Sequence, residues 1–354
     1  MLTNLIQSTK LKINKLLGRS FTPHPRENLF IDPTGLCNLA CRFCAYPKLL
    51  PGHSMDLELF KRTINQATEI GFRKVFLTPM LGDAFMDKTL DKKLEYLESN
   101  NLINEYGLYT NFILADVDLV NKLKKLRELS ISVYGVNLED FKLVTKKDQK
   151  QFEKFVKNLE LLKKAYQAGS IKYKLHFSIR TKVNDNILKL DGVDRVNYVL
   201  KHKKGEVIDL LNYFKDFVKI TVATVTDTWL GVVKQEDVDV LGYKVSPAGP
   251  MAGPCNLIFG SIQIRYNGTV HACTRSVQDK LKIGDLTKNN LKYILSFKNP
   301  EYKSLVDSQM SEKYSEACIG CAHYRSVYQN FKSGHGTYAA KLKLKDTLKF
   351  LSSD

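Results

Sequence analysis

The chain is short of acid, with 37 Asp and Glu against 54 Lys and Arg, and it has a single tryptophan among 354 residues. It has no run of about 18 uncharged apolar residues, the length a membrane helix needs. The first twenty residues, MLTNLIQSTKLKINKLLGRS, scatter their apolar positions between lysines and polar groups, so the continuous apolar core of a secretory signal is missing too. These absences exclude a transmembrane segment and argue against export. A cytoplasmic location is therefore expected, and cysteines there act as ligands or reactive groups rather than as disulfides. Internal repeats and low-complexity segments are also lacking. What remains is ordinary in bulk: 44% hydrophobic and 26% charged residues exclude a disordered or fibrous class.

The net charge of +17 is carried mostly by lysine, in runs such as NKLKKLREL and KHKKGE that suit solvated faces. An anionic partner is the sharper alternative. No nucleic-acid recognition signature accompanies the charge, so no nucleic-acid partner is expected. Leu2, Leu5, Ile6, Ile13, Leu16 and Leu17 give the basic N-terminal stretch an apolar side, which suits docking on the chain's own barrel or on a membrane surface.

From residue 29 to 227, β-branched runs alternate with segments of helical period. The candidate strands are LFID at 29–32, KVFLTPM at 74–80, YGLYTN at 106–111, ELSISVYG at 128–135, KYKLHFSIR at 172–180 and VKITVATVTD at 218–227. The first intervening helix puts Leu57, Phe60, Ile64 and Ala67 on one face with Gly71 as its stop. Six such units predict an α/β fold, a partial (β/α)6 TIM-like barrel, with its functional groups at the carboxyl ends of the strands. KVSPAGPMAGPC at 244–255 has the composition of a linker. LIFGSIQIRYNGTVHAC then predicts a hairpin turned at Asn267-Gly268, with Ile262, Ile264 and Tyr266 alternating against Gln263 and Arg265. The expected organisation is an N-terminal extension (1–28), the barrel (29–230), a linker (231–254) and a small α+β auxiliary domain with a helical tail (255–354).

Seven cysteines fall into two groups. Cys37, Cys41 and Cys44 follow the first strand in TGLCNLACRFCAYP at the spacing CxxxCxxC. Four thiolates close a zinc site or cap a 4Fe-4S cluster, whereas three leave one iron open to a small molecule. A zinc site completed by a histidine such as His53 is the alternative. Cys255, Cys273, Cys318 and Cys321 make the second group, enough for one closed cluster, or for a zinc ribbon built from hairpin and CxxC.

These motifs resemble the radical S-adenosylmethionine (SAM) family. In that family CxxxCxφC holds a 4Fe-4S cluster whose open iron is chelated by SAM, and the resemblance implies that Phe43, at the aromatic position, turns its backbone toward the adenine. MLGDAF resembles the family's Gly-Gly-Glu-like element, making Gly82 and Asp83 the groups at the methionyl amine, with aspartate in place of glutamate and one glycine matched. YTN, SVYG and SIRTKVND follow in the family's order. They imply that Thr110, Asn111 and Ser132 approach ribose and methionyl parts and that Arg180 meets the carboxylate. Cys255, twelve residues, Gly268, four residues and Cys273 match the element that opens SPASM and twitch domains, implying an auxiliary 4Fe-4S cluster on the four later cysteines.

What the resemblance implies chemically is SAM cleavage to a 5′-deoxyadenosyl radical, hydrogen abstraction from an unactivated C–H bond, and net oxidation assisted by the auxiliary cluster. An external one-electron reductant of flavodoxin or ferredoxin type is the implied partner. The substrate is a small molecule such as a sugar, aminocyclitol or nucleotide-linked carbohydrate, or else a peptide or protein side chain; a zinc-stapled basic binding protein is the third possibility. With every cysteine assigned, none remains to donate a hydrogen atom, which disfavours epimerisation. Asp227, a strand-end carboxylate beside Trp229 and expected to have a raised pKa, is the candidate proton acceptor, with Tyr134 second. His271 and His323 are expected to be hydrogen-bonding neighbours of the auxiliary cysteines.

Overall fold

The alternation of apolar runs and helical segments produces six strands that lie side by side in chain order: β1 (Asn28–Ile31), β2 (Lys74–Leu77), β3 (Glu105–Thr110), β4 (Leu126–Tyr134), β5 (Lys174–Arg180) and β6 (Lys219–Val222). Every neighbouring pair is parallel. A doubly wound sheet reverses its strand order at a switch point. Here the order never reverses, so right-handed crossovers put the helices on one face and leave the other free to close into a partial barrel. The structure is a computed structural model and describes residues 28–324 apart from 50–51, 78–80, 247–250, 252–253, 256, 259–260, 320 and 322. The N-terminal stretch, the end of KVFLTPM, much of the Pro/Gly-rich segment and the lysine-rich tail with SGHGTY lie outside the described residues.

Local chemistry sets the helices. In α1 (Leu57–Glu69) the Asp56 carboxylate accepts the N–H groups of Glu58 and Leu59, Phe60, Ile64 and Ala67 face inward, and Gly71, at φ +104°, takes the backbone out of the helix. After α2 (Leu90–Ser99), α3 (Val117–Asn121) and α4 (Leu138–Thr145) comes α5 (Gln149–Gln167), capped by Asp148 and packed through Phe152, Phe155, Leu159 and Leu162. α6 (Asp185–Lys189), α7 (Gly192–His202) and α8 (Glu206–Phe214) complete the wall. The strands meet this layer with Leu29, Val75, Leu108, Ile131, Phe177 and Ile179, all fully buried, each contributing about 1.5–3 kcal/mol.

The last expected strand, 218–227, divides. Ala223 N–H still reaches Ile179 O at 2.9 Å, but the chain then turns away, and β7 (Val225–Thr226) pairs with β8 (Lys244–Val245) instead of extending the main sheet. Part of the expected linker is thus structured, as α9 (Gln235–Val238) and β8.

The hairpin forms as predicted, with Gly268 at φ +84°, but it joins the barrel. β9 (Ser261–Ile264) lies parallel to β1, and β10 (Thr269–His271) and β11 (Lys282–Asp285) follow antiparallel, giving a nine-stranded sheet. Gln263 and Arg265, polar positions of the alternation, are consequently buried rather than solvated. Gln263 Nε2 donates to Asp32 Oδ1 at 2.7 Å and Arg265 pairs with Asp279 at 3.1 Å. α10 (Leu291–Ile294) and α11 (Pro300–Met310) pack beside β11 and lead to Cys318.

Candidate active site

The first three cysteines sit on the loop between β1 and α1, and that loop is tied down along its length. Ala40 and Arg42 N–H reach Thr145 O and Val144 O at the end of α4, and Arg42 Nε donates to Leu143 O at 2.8 Å. At the loop's base the fully buried Lys93 donates to Pro33 O, Met55 O and Asp87. Cys41 is buried, while Cys37 and Cys44 keep partial exposure. Burial pushes the Cys37 thiol up to about 12, with Asp83 and Cys44 adding to the effect, and holds Cys41 well above the ordinary thiol value, with Cys44 and Cys37 contributing. A shared cation would offset the burial and the neighbouring thiolates that hold Cys37 and Cys41 protonated.

Gly82 and Asp83, after β2, stand directly against this loop. Asp83 N–H donates to Leu36 O at 2.8 Å, and a Cβ on Gly82 would lie 2.5 Å from the same oxygen. The buried Asp83 carboxylate accepts Thr110 Oγ1 at 2.9 Å, Asn111 N–H at 2.6 Å and Phe85 N–H at 3.1 Å. Burial raises its pKa against these hydrogen bonds. Asn111 Nδ2 reaches Asn38 Oδ1 at 2.8 Å, next to Cys37. Four residues singled out by resemblance, Gly82, Asp83, Thr110 and Asn111, are thus brought together with the cysteine loop, and Asp83 orders the other strand end as well as facing the site.

Across the sheet, the Arg180 guanidinium lies 4.9 Å from the centre of the Phe43 ring and 5.9 Å from that of Tyr134. Tyr134 packs on Phe43 with ring centres 5.5 Å apart, close to Ser132, and burial holds its phenol far above the ordinary value. Two neighbours went unrecognised as site residues. Tyr243 stacks on Phe43 at 6.5 Å, its buried hydroxyl lacking a well-formed hydrogen bond although the Thr181 N–H is nearby. The Trp229 indole donates to Phe43 O at 3.1 Å. Nothing local in the sequence marks either residue, because both reach Phe43 only once the barrel has curled.

Strand register places a second set of groups on the concave face. Phe30, Phe76 and Gly107 are paired in line, Tyr109 pairs with Ser130 and Ser130 with His176, and Ser132, Ser178 and Thr221 form another row. Phe30, Phe76, Tyr109, Ser132, Ser178 and Thr221 are only half-buried, unlike the helix-facing positions. His176 bridges Ser130 and Thr221 through its two ring nitrogens at 3.3 and 3.0 Å. The face is therefore hydroxyl-rich on one side and aromatic on the other, where a packed barrel core would carry branched aliphatics. A separate polar groove of about 570 Å³ beside α1, lined by residues such as Glu58, Arg62 and Lys292, lies on the outer side of the wall.

The second cysteine group also converges. Cys273 is pushed up to about 12 by burial, with Cys255 and Cys321 contributing, and Cys318 is raised by burial and by Cys321. Gln309, fully buried, accepts Cys255 N–H at 3.0 Å and points its Nε2 at Cys318 Sγ, 3.6 Å away. Both ring nitrogens of His271 are used, by Ser276 at 3.0 Å and Thr269 at 3.1 Å, and burial drives its pKa down to about 3. His323 Nε2 faces Asp227 Oδ2 at 3.1 Å. Asp227 corrects an expectation. Burial disfavours its charge, but His323 and Arg275 outweigh burial and carry its pKa below the ordinary carboxylate range, the opposite of the rise a proton acceptor needs.

The donor chemistry fits iron-sulfur centres: two thiol sets, one of three and one of four, with anionic repulsion inside each, and a buried amide donor, Asn38 Nδ2, that has no partner among the described residues, beside the three-thiol set. Among the described residues no group of three or more His, Cys, Asp or Glu side chains stands in a metal-holding arrangement. A family model described as the radical SAM superfamily matches residues 31–177, and one described as an iron-sulfur cluster-binding domain, SPASM, matches residues 255–322. The family carries a SAM-binding 4Fe-4S cluster and, in the SPASM domain, auxiliary iron-sulfur clusters, which sets the zinc alternatives aside. A protein named GTP 3′,8-cyclase from Desulforamulus reducens is 32% identical over 125 residues, 33% of this chain and 37% of that protein. A probable GTP 3′,8-cyclase from Saccharolobus islandicus is 24% identical over 193 residues, 51% of this chain and 59% of that protein. The chain thus spans less than two thirds of the length of these curated relatives. Among solved structures, Streptococcus suis SuiB bound to precursor peptide SuiA aligns with TM-score 0.53 and 15% identity over 89% of this chain and 74% of that one. BtrN in complex with AdoMet and 2-DOIA aligns with TM-score 0.51 and 12% identity over 83% and 92%. At these identities the two structures show a shared fold. The chain belongs to the radical SAM superfamily and carries a C-terminal SPASM domain.

Proposed function

We propose that this enzyme abstracts hydrogen from a C–H bond of a small polar molecule, a sugar, aminocyclitol or nucleotide-linked carbohydrate, and oxidises it with help from the auxiliary centre. When bound, the three-cysteine cluster and SAM supply a 5′-deoxyadenosyl radical. The chain's residues position and enclose. Cys37, Cys41 and Cys44 hold the cluster, Asp83 orders Thr110 and Asn111 at one end of the SAM site, and Arg180 over Phe43 sets a fixed cation at the other. Cys255, Cys273, Cys318 and Cys321 hold the auxiliary cluster, and an external flavodoxin- or ferredoxin-type donor delivers the electron.

The concave face carries the substrate reading. Ser132, Ser178 and Thr221 offer hydroxyl groups for hydrogen bonds, His176 holds Thr221 in place, and Phe30, Phe76 and Tyr109 offer flat apolar surface to a ring face. Modification of a peptide or protein side chain is the second reading, favoured by the likeness to SuiB, solved with a precursor peptide. Anaerobic turnover with candidate substrates deuterated at each carbon decides between them. Deuterium in 5′-deoxyadenosine from a polyhydroxylated small molecule supports the first reading; transfer only from peptides refutes it.

A further inference from the structure

We propose that Asp227 is a positioning residue for the second iron-sulfur centre, holding Arg275 and His323 against the two ligand segments so that the charges of Asp227 and Arg275 set that centre's reduction potential. The proposal rests on the reading that Cys255, Cys273, Cys318 and Cys321 hold a cluster.

Asp227 leaves the barrel immediately after β7, yet its partners come from the two segments that carry auxiliary cysteines. Arg275 lies two residues after Cys273, and its backbone N–H points at Cys273 Sγ, 3.4 Å away. Its Nε is 3.5 Å from Asp227 Oδ2. His323 lies two residues after Cys321, and its Nε2 is 3.1 Å from the same oxygen. Asp227 Oδ2 and His323 Nε2 are both shielded from solvent, and neither has another well-formed hydrogen bond among the described residues. The second oxygen, Oδ1, accepts Trp229 N–H at 3.0 Å, and the Trp229 indole in turn holds Phe43 O in the first cysteine loop. One carboxylate, 9% exposed, therefore joins the barrel end to both ligand segments.

Charges and hydrogen bonds next to cluster sulfurs tune iron-sulfur potentials, and a poorly solvated charge acts over longer range than an exposed one. Removing the Asp227 charge leaves the Arg275 guanidinium uncompensated beside the centre. The one-electron-reduced form, carrying one more negative charge, gains. The shift expected for Asp227→Asn is tenfold or more in the reduction equilibrium, about 59 mV upward per tenfold for one electron. Arg275→Gln must shift it the opposite way, and Asp227→Glu must stay near the parent. General loss of packing produces no such sign reversal.

The test uses the full-length chain with Cys37, Cys41 and Cys44 all changed to Ala, reconstituted anaerobically, so that only the second centre is loaded. Iron analysis comes first, then potentiometric titration with dithionite followed by electron paramagnetic resonance. Iron present, an upward shift in Asp227→Asn and a downward shift in Arg275→Gln support the proposal. Iron present with unchanged potentials overturns it and leaves the cluster assignment standing. No iron in the triple variant overturns the assignment itself. If Asp227→Asn loses its iron, Arg275→Gln decides alone: a downward shift supports the clamp, an unchanged potential ends it.

Discussion

Gly82→Ala is the most exacting perturbation of the first site, because it adds one methyl group where two loops touch backbone to backbone. The new Cβ would sit 2.5 Å from Leu36 O, 2.9 Å from Thr34 O and 3.1 Å from Leu36 N, against ordinary contact beginning near 3.4 Å. No flexible side chain can yield there, so the loop leading into Cys37 must move by roughly 0.5–0.9 Å, or the Asp83 N–H to Leu36 O bond must break. Overpacking of this kind costs about 1–3 kcal/mol. A displacement near 1 Å at a ligand loop loosens a site whose geometry must be held within about 0.5 Å. The expected outcome is a chain that still folds, keeps the iron of the second centre, and loses at least half of the iron and most of the SAM binding at the first. Iron and sulfide analysis with anaerobic equilibrium dialysis of SAM reads both. Wild-type iron content together with unchanged SAM affinity would refute the close-contact argument.

Lys93→Met leaves the Asp87 carboxylate and the carbonyls of Pro33 and Met55 without their buried donor, and should cost about 3–5 kcal/mol in urea unfolding; a loss under about 1 kcal/mol contradicts it. His176 is pushed down to about 4 by burial, with Lys219 and Arg180 contributing, from an ordinary 6.5. The unfolded chain therefore binds a proton that the folded one refuses. This contribution is whole above pH 6.5 and is lost as pH falls toward 4, by up to about 3 kcal/mol. His176→Gln should flatten that part of the stability curve, and an unaltered acid slope argues against a neutral ring. Trp229→Phe keeps the packing but removes the donor to Phe43 O, leaving Thr226 Oγ1 at 3.4 Å as the donor among the described residues. At about 1 kcal/mol per hydrogen bond, SAM affinity should fall roughly fivefold, and equilibrium dialysis showing no change would count against this role.

The parts legible in the sequence are those set by neighbours along the chain. β1, β3, β4 and β5 lie within two residues of their candidate runs, β2 starts where its run does, α1 buries Phe60, Ile64 and Ala67 and stops at Gly71, and Gly268 turns the hairpin where Asn267-Gly268 stands. The parts that were not legible depend on partners far apart in sequence. Gln263 stood in the sequence simply as a polar position of the hairpin's alternation, because nothing nearby reveals that β9 will lie against β1 and offer it Asp32, 231 residues away. Asp227 followed the same rule: a strand-end carboxylate beside an aromatic residue suggests a raised pKa, but Arg275 and His323 arrive from another part of the chain and reverse the sign. Gln309 and Tyr243 carried no local signal, since each acquires its place only through Cys255 and Cys318 or through Phe43. Cysteine spacing narrowed the choice to zinc or iron-sulfur, and the two family models decide between them.

The central claim is that the three-thiol loop holds a cluster with one coordination place left for SAM. Its most direct test is electron paramagnetic resonance of the dithionite-reduced, anaerobically reconstituted full-length chain, recorded before and after adding SAM labelled with nitrogen-15 at its amine. The account predicts a changed spectrum and a resolved coupling from the labelled amine, both abolished in Cys41→Ala. An identical spectrum with and without SAM, and no coupling, would contradict it.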